Sequence, residues 1–254
     1  DKQLFLREPF LRTLAGFALF CLASSAVYLI NDIADVEADR KHPEKKHRPI
    51  ASGKLPLKAA WLAAILLVAV ALPLGYFLSP ALAIILAVYL AINILYSRWL
   101  KHIPILDVFI VSSGFVLRDA AGVALITLER FSPWLYMITT LFSLYIGFGK
   151  RRAEMSLLET GAGSHRKVLD GYTLPLLDQL ITIVSGTTIV TYSLYTFTAP
   201  NLPENHSMML TIPFVVYGIF RYLQLIQTGH AAGAPDEVAL KDRPLQVTAL
   251  LWIV

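Results

Sequence analysis

A chain of 254 residues, 56 % hydrophobic and 16 % charged with a mean hydropathy of +0.60, is too apolar for a soluble domain of its length. Its one cysteine, Cys21, excludes a disulfide framework, a cysteine-based zinc site and a redox pair, and its six histidines never cluster at ligand spacing. The net charge of +4 is mild but very unevenly placed, and no nucleic-acid partner is expected.

Apolar windows of membrane-helix length fall at 11–30, 59–78, 81–97, 104–126, 132–149, 178–199, 208–226 and from 245 onward. They predict an all-α, polytopic transmembrane bundle, with seven spans and the start of an eighth forming a single catalytic domain over 1–254. The chain opens at Asp1 and stops inside an apolar run, so it reads as part of a longer protein. Sixteen of the 22 Lys and Arg residues lie in the connections 40–58, 98–101, 150–167 and 241–243, whereas 79–80 and 200–207 hold none. By the positive-inside rule the basic connections are cytoplasmic. Most of the connecting acids, prolines and glycines lie there too, so the chemistry is expected at that membrane face.

The first window runs into Asn31-Asp32-Ile33-Ala34-Asp35-Val36-Glu37-Ala38-Asp39. On a continuous helix Asn31, Asp35 and Asp39 share one face, with Asp32 beside them, and can meet around one hard cation. Without a cation the carboxylates repel, and the C-terminal end of a helix disfavours them further. Mg²⁺, with Mn²⁺ as an alternative, removes that conflict. It typically takes one or two carboxylates plus substrate phosphate oxygens, so the motif asks for a phosphorylated substrate. The simpler reading is a solvated, charged helix end.

Arg40, Lys41, Lys45, Lys46 and Arg48 follow, with Pro43 and Pro49 stiffening the return of the chain. These cations can converge on phosphate, Arg48 as a bidentate fork, or can serve membrane topology alone. The segment Arg48-Pro49-Ile50-Ala51-Ser52-Gly53 predicts a fixed turn beside the acidic motif.

The string NDIADVEADRKHPEKKHRPIASG resembles the NDxxDxxxD motif and following loop of the UbiA superfamily of intramembrane prenyltransferases. Five further segments resemble its decaprenyl-phosphate phosphoribosyltransferase branch: Tyr96 to Lys101, Leu106 to Val108, Ser113 to Arg118, Gly149 to Glu154 and Glu237 to Arg243. The resemblance covers nearly the whole chain. It implies about nine spans in all, one of them preceding this chain's first, and a homotrimer as in some members. It also implies magnesium held by Asn31, Asp32, Asp35 and Asp39 against a donor diphosphate, and a Tyr and a Lys near the donor, here Tyr96 and Lys101.

Members that use prenyl diphosphates carry a second aspartate-rich motif in a later loop. The corresponding stretch here, 150–177, has only Glu154, Glu159 and Asp170 as acids, and carries Lys150, Arg151, Arg152, Arg166 and Lys167. That change of sign argues for one metal-bound diphosphate plus a directly ion-paired phosphate. Topology alone is the competing explanation for Lys150 to Arg152. Within the fourth window Asp107, Arg118 and Asp119 should face the bundle interior, pairing there or touching substrate. Arg221 can snorkel. Gly161-Ala162-Gly163 is a turn signal, and Pro235 to Arg243 reads as a last cytoplasmic loop.

The expected activity is Mg²⁺-dependent transfer of 5-phosphoribose from phosphoribosyl diphosphate to a polyprenyl phosphate, at the cytoplasmic face of a bacterial inner membrane, for cell-envelope polysaccharide precursors. The candidate phosphate and substrate contacts are Arg40, Lys41, Lys46, Arg48, Tyr96, Lys101, Arg118, Lys150, Arg151 and Glu154. The rivals are a prenyltransferase acting on an aromatic or other acceptor, and a non-catalytic lipid-binding or transport protein.

Overall fold

A computed structural model of the chain describes residues 6–41, 45–126, 133–159, 167–199, 202, 205–228, 238 and 240–253. Among the described residues it forms helices joined by turns, with no strand. In order, the helices are α1 (Arg7–Ala34), α2 (Val36–Lys41), α3 (Leu57–Leu78), α4 (Pro80–Arg98), α5 (Leu106–Val123), α6 (Pro133–Glu159), α7 (Leu174–Thr198), α8 (Ile212–Gln227) and α9 (Arg243–Ile253). Five are long and apolar enough to cross a membrane: α1, α3, α4, α7, and α8 with its lead-in from Ser207. The fourth expected span, α5, carries Asp107, Arg118 and Asp119 within 18 residues and falls short on composition.

The chain divides into two compact units, 1–131 and 132–254. In the first, α1 packs on α3, α4 and α5. Ala23 and Ala26 of α1 and Ala60, Ala64 and Ala71 of α3 are almost wholly buried, and such small side chains let helix backbones approach closely in a membrane protein. Leu19, Phe20, Leu82, Leu86, Tyr89, Leu90, Ala121 and Leu125 fill the core around them. Arg12 fastens the ends opposite the acidic motif: its Nε donates to the Leu125 carbonyl at 3.2 Å and its Nη2 to the Leu78 carbonyl at 3.0 Å. It thus satisfies terminal carbonyls of α3 and of the turn ending α5, where the helix dipole favours a cation.

In the second unit α6 packs on α7 and α8, and α9 packs on α8. The Tyr145 hydroxyl donates to the Ile219 carbonyl at 2.5 Å, and its ring meets Tyr222 edge-on at 5.4 Å. A Cβ on Gly149 would lie 2.7 Å from Ile226 Cδ1, so α6 and α8 meet closely there. Arg221 has an internal partner. It grips Asp242, with Nη2–Oδ2 at 2.7 Å and Nε–Oδ1 at 3.3 Å, and Asp242 Oδ1 also accepts from the Leu245 amide at 2.9 Å, capping α9.

The hydrogen bond from Arg221 holds the Asp242 carboxyl below its ordinary value of 3.8. The pair's contribution to stability is therefore complete above that value and lost only as pH falls through the lower folded one. Asp242→Asn keeps the cap but not the ion pair. The difference in thermal midpoint between wild type and Asp242→Asn is expected to stay flat from pH 8 to 5 and to shrink below pH 3.8, as scanning fluorimetry across pH would measure.

Candidate functional site

The acidic motif sits where α1 ends. The helix stops at Ala34; Asp35 adopts φ −98° and ψ 5°, and α2 begins at Val36. The break is shallow, because Asp35 N still bonds the Asn31 carbonyl at 2.9 Å and Asp39 N the Asp35 carbonyl at 2.8 Å. The expectation of one continuous helical face is thus corrected: Asn31 and Asp32 ride on α1, Asp39 on α2, and Asp35 on the joint.

Each of the four side chains has a partner, and two of them share one. Asp35 is ion-paired with Lys101, from the 3-10 turn Leu100–His102. Asn31 Oδ1 accepts from the Ser97 hydroxyl, on the last turn of α4, at 3.1 Å. A single nitrogen, Arg48 Nη1, lies 2.9 Å from both Asp32 Oδ1 and Asp39 Oδ2. Asp39 is the most enclosed of the acids, 4 % exposed. Arg48 and Lys101, expected to face phosphate, thus neutralise the carboxylates here. Packing of α1 on α4 and α5 brings this end of the unit together across 66 residues of sequence.

Among the described residues no three His, Cys, Asp or Glu side chains converge to hold a metal ion by themselves. The donor set nevertheless suits Mg²⁺, which needs only one or two carboxylates when phosphate oxygens complete its shell. The point between Asp32 and Asp39 already holds a positive group, the Arg48 guanidinium.

The turn expected after Arg48 is present. Ser52 N bonds the Arg48 carbonyl, Gly53 N the Ile50 carbonyl and Leu55 N the Pro49 carbonyl, at 2.9–3.1 Å. Gly53 takes φ +80°, a conformation that favours glycine, and Ile50 is buried, so the loop is anchored beneath Arg48. Arg40 pairs with Glu37 at 2.8 Å on the exposed side of α2; Lys41 and Lys46 are exposed, and Tyr96 is half-buried.

Further along α5, Arg118 is exposed rather than turned into the bundle interior as expected, and its guanidinium lies over the rings of Phe115, Phe20 and Tyr89, with Cζ 5.0, 5.7 and 5.8 Å from their centroids. It does not pair with Asp119, whose Oδ2 is buried with no hydrogen-bond partner among the described residues. Asp107, at the start of α5, is fully buried.

In the second unit the basic run on α6 is largely engaged. Arg151, 5 % exposed, pairs with Glu154 at 2.6 Å. Arg152 donates to Asp178 at 2.6 Å and to the Ile226 carbonyl at 3.2 Å, tying α6 to α7 and α8. Lys150 is half-buried. Pro43, Gly161 to Gly163, Arg166 and Pro235 to Glu237 lie outside the described residues, as does the Glu159 side chain.

Sequence reasoning missed Ser97, Arg12 and the acid that takes Arg152, Asp178. The last carried a signal: an acid at the polar edge of an apolar window needs a partner.

The model of the UbiA prenyltransferase family matches residues 5–236. A protein of Corynebacterium glutamicum named decaprenyl-phosphate phosphoribosyltransferase is 39 % identical over 243 residues, covering 94 % of this chain and 72 % of that protein. A protein of the same name from Mycolicibacterium smegmatis is 40 % identical over 247 residues, covering 94 % and 77 %. The solved structure of a UbiA homolog from Archaeoglobus fulgidus bound to DMAPP and Mg²⁺ superposes with a TM-score of 0.73 at 16 % identity, over 95 % of this chain and 85 % of that one.

Proposed function

The chain belongs to the UbiA prenyltransferase family, and within it we propose a transferase that moves 5-phosphoribose from phosphoribosyl diphosphate to a polyprenyl phosphate of the decaprenyl type. Identity of 38–40 % to relatives named for that activity, over 94 % of the chain, supports the choice of reaction. One geometric observation carries it further: the acids alternate with cations, Asp32 and Asp39 sharing Arg48 and Asp35 holding Lys101. Such a face suits a diphosphate gripped by metal and by fixed cations together. Among the described residues Glu154 pairs with Arg151 and no cluster of acids fit to hold a metal stands on that helix, in keeping with a single metal-bound diphosphate.

An oxygen of the lipid phosphate attacks C1 of the ribose, the C1–O bond breaks, and the electron pair leaves with diphosphate. The nucleophile is already ionised at pH 7, so no side chain need act as general base. Asn31, Asp32, Asp35 and Asp39 would hold Mg²⁺, with Mn²⁺ as a substitute; a bound metal supplies charge neutralisation at the departing diphosphate. Arg48 and Lys101 exchange carboxylate for phosphate when the donor arrives. Arg40, Lys41, Lys46 and Tyr96 line the approach to the same face, and Lys150 and Arg151, with Glu154 orienting Arg151, are assigned to further phosphate contacts. The setting is the cytoplasmic face of a bacterial inner membrane, the two units form one catalytic domain that assembles as a trimer, and the product feeds cell-envelope polysaccharide synthesis.

The test is transfer of radiolabelled ribose 5-phosphate from phosphoribosyl diphosphate to a polyprenyl phosphate, by the protein in detergent, with and without Mg²⁺. Metal-dependent labelling of the lipid is the expected result. Turnover of a prenyl diphosphate with an aromatic acceptor, and no lipid labelling, would overturn the assignment.

Ser97 positions Asn31 by donating to Oδ1, which leaves that oxygen's second lone pair in a fixed direction. Ser97→Ala is expected to raise the Mg²⁺ concentration for half-maximal rate about tenfold, the usual scale for an outer partner of a metal ligand. Ser97→Thr, which keeps the hydroxyl, should restore it.

A further inference from the structure

We propose that Arg118 seats the phosphate of the lipid acceptor, an assignment that rests on the transfer reaction above. Arg118 is exposed in the second half of α5, and a cation on so apolar a bundle ordinarily finds an acid or a run of carbonyls. Arg118 has neither: among the described residues its guanidinium makes no hydrogen bond or ion pair, and only the three aromatic rings touch it as a cation. Rings engage a guanidinium electrostatically and leave its N–H fork free for a planar, doubly accepting anion. The rings are themselves fixed. Phe20 and Tyr89 stack at 4.7 Å between centroids, and the Tyr89 hydroxyl shares a 2.8 Å hydrogen bond with Ser24.

This cation borders a cavity of about 320 Å³ whose other walls include Phe17, Phe20, Ala121 and Leu125. One cation in walls that are otherwise mostly apolar, with only Thr13, Cys21 and Ser24 as polar lining, matches a ligand with one anionic group on a hydrocarbon chain, and suits a polyphosphate poorly. Position agrees. Contact with Phe115, one turn earlier, points the side chain back toward the start of α5, the end that carries Lys101. Along α1 the cavity residues run from Thr13 to Ser24; Phe20, whose ring the guanidinium faces, lies eleven residues before Asn31 and Ser24 seven, about 16 and about 10 Å at helical rise. A second phosphate at the Ser24 end of the cavity leaves room for a pentose ring against a diphosphate at the acidic face, which sets the acceptor oxygen across C1 from the leaving group. The donor's own 5-phosphate has the same chemistry and could span the same distance, so the experiment must separate the two.

Initial rates of the purified full-length protein are measured against polyprenyl phosphate at saturating donor, and against phosphoribosyl diphosphate at saturating acceptor. Arg118→Gln is expected to raise the acceptor KM at least tenfold, with the donor KM and the Mg²⁺ half-saturation within about twofold of wild type. Arg118→Lys, keeping charge but losing the fork, should fall between. A rise in the donor KM instead would place the donor's 5-phosphate there and overturn the proposal, as would an unchanged acceptor KM. A binding arm needs no turnover: native mass spectrometry of wild type and Arg118→Gln with polyprenyl phosphate against the matching polyprenol. Retention of the phosphate but not the alcohol is expected, and to be lost in Arg118→Gln; equal retention by wild type sinks the proposal. If wild type shows that preference yet transfers no phosphoribose, the reaction assignment has failed and the anion site has not.

Discussion

Asp35→Asn is expected to lower phosphoribosyl transfer at least 100-fold, about 2.7 kcal/mol of transition-state stabilisation, while leaving the fold in place. Asp35 occupies the joint between α1 and α2, and its side chain meets Lys101 from another helix pair. The substitution is nearly isosteric, and the backbone bonds from Asp35 N to the Asn31 carbonyl and from Asp39 N to the Asp35 carbonyl do not involve the carboxylate. The loss should therefore appear chiefly in rate and metal dependence, with elution volume unchanged and only a modest fall in thermal midpoint, because Asn keeps an oxygen toward Lys101, whose side chain is 11 % exposed. A scaffold or transport role predicts the reverse pattern: lipid binding and stability unchanged, and no metal-dependent activity to lose. Measuring transfer across a Mg²⁺ titration separates these outcomes, because a lost ligand shifts the titration to higher metal whereas a lost structural contact lowers the whole curve.

The helices were legible because hydropathy alone marks a membrane span. Their ends were not. α1 runs to Ala34, four residues past its apolar window, because Asn31 to Ala34 continue the hydrogen-bond ladder whatever their polarity. α6 likewise continues through Lys150 and Arg152 to Glu159, and Arg151 and Glu154, three residues apart, pair along it. A window that scores transfer to lipid cannot see a helix that leaves the membrane intact.

The acidic motif was legible for the opposite reason, since it is local: five polar side chains within nine residues declare themselves without any tertiary information. Their partners are remote. Lys101 and Ser97 reach Asp35 and Asn31 across 66 positions, and Arg12 reaches Leu125 across 113. Nor does a run of cations show which of its members are engaged internally. Arg152 is committed to Asp178 and the Ile226 carbonyl, because a guanidinium at the end of a helix bundle finds internal acceptors before it finds a ligand.

Arg48→Gln is the second large effect, and it works in two directions. One nitrogen of Arg48 neutralises both Asp32 and Asp39, and the Asp39 side chain is only 6 % exposed, so removing the cation leaves two facing carboxylates, one of them poorly hydrated. Without metal the variant should be less stable by about 1–2 kcal/mol, a figure kept low because Arg48 itself is partly exposed. Mg²⁺ alone should then stabilise the variant more than it stabilises wild type, since the metal no longer displaces a resident cation. Turnover should move the other way. Once the donor has arrived, Arg48 is assigned to its diphosphate as a fork, so the donor KM is expected to rise tenfold or more, with the Mg²⁺ half-saturation unchanged or lower. Arg48→Lys retains the charge without the fork and should recover stability better than donor affinity. Thermal shift with Mg²⁺ alone and steady-state rates against donor read the two effects separately. A donor KM that stays put while the Mg²⁺ requirement climbs would mean that Arg48 serves only to hold Asp32 and Asp39 in register for the metal, and never touches phosphate.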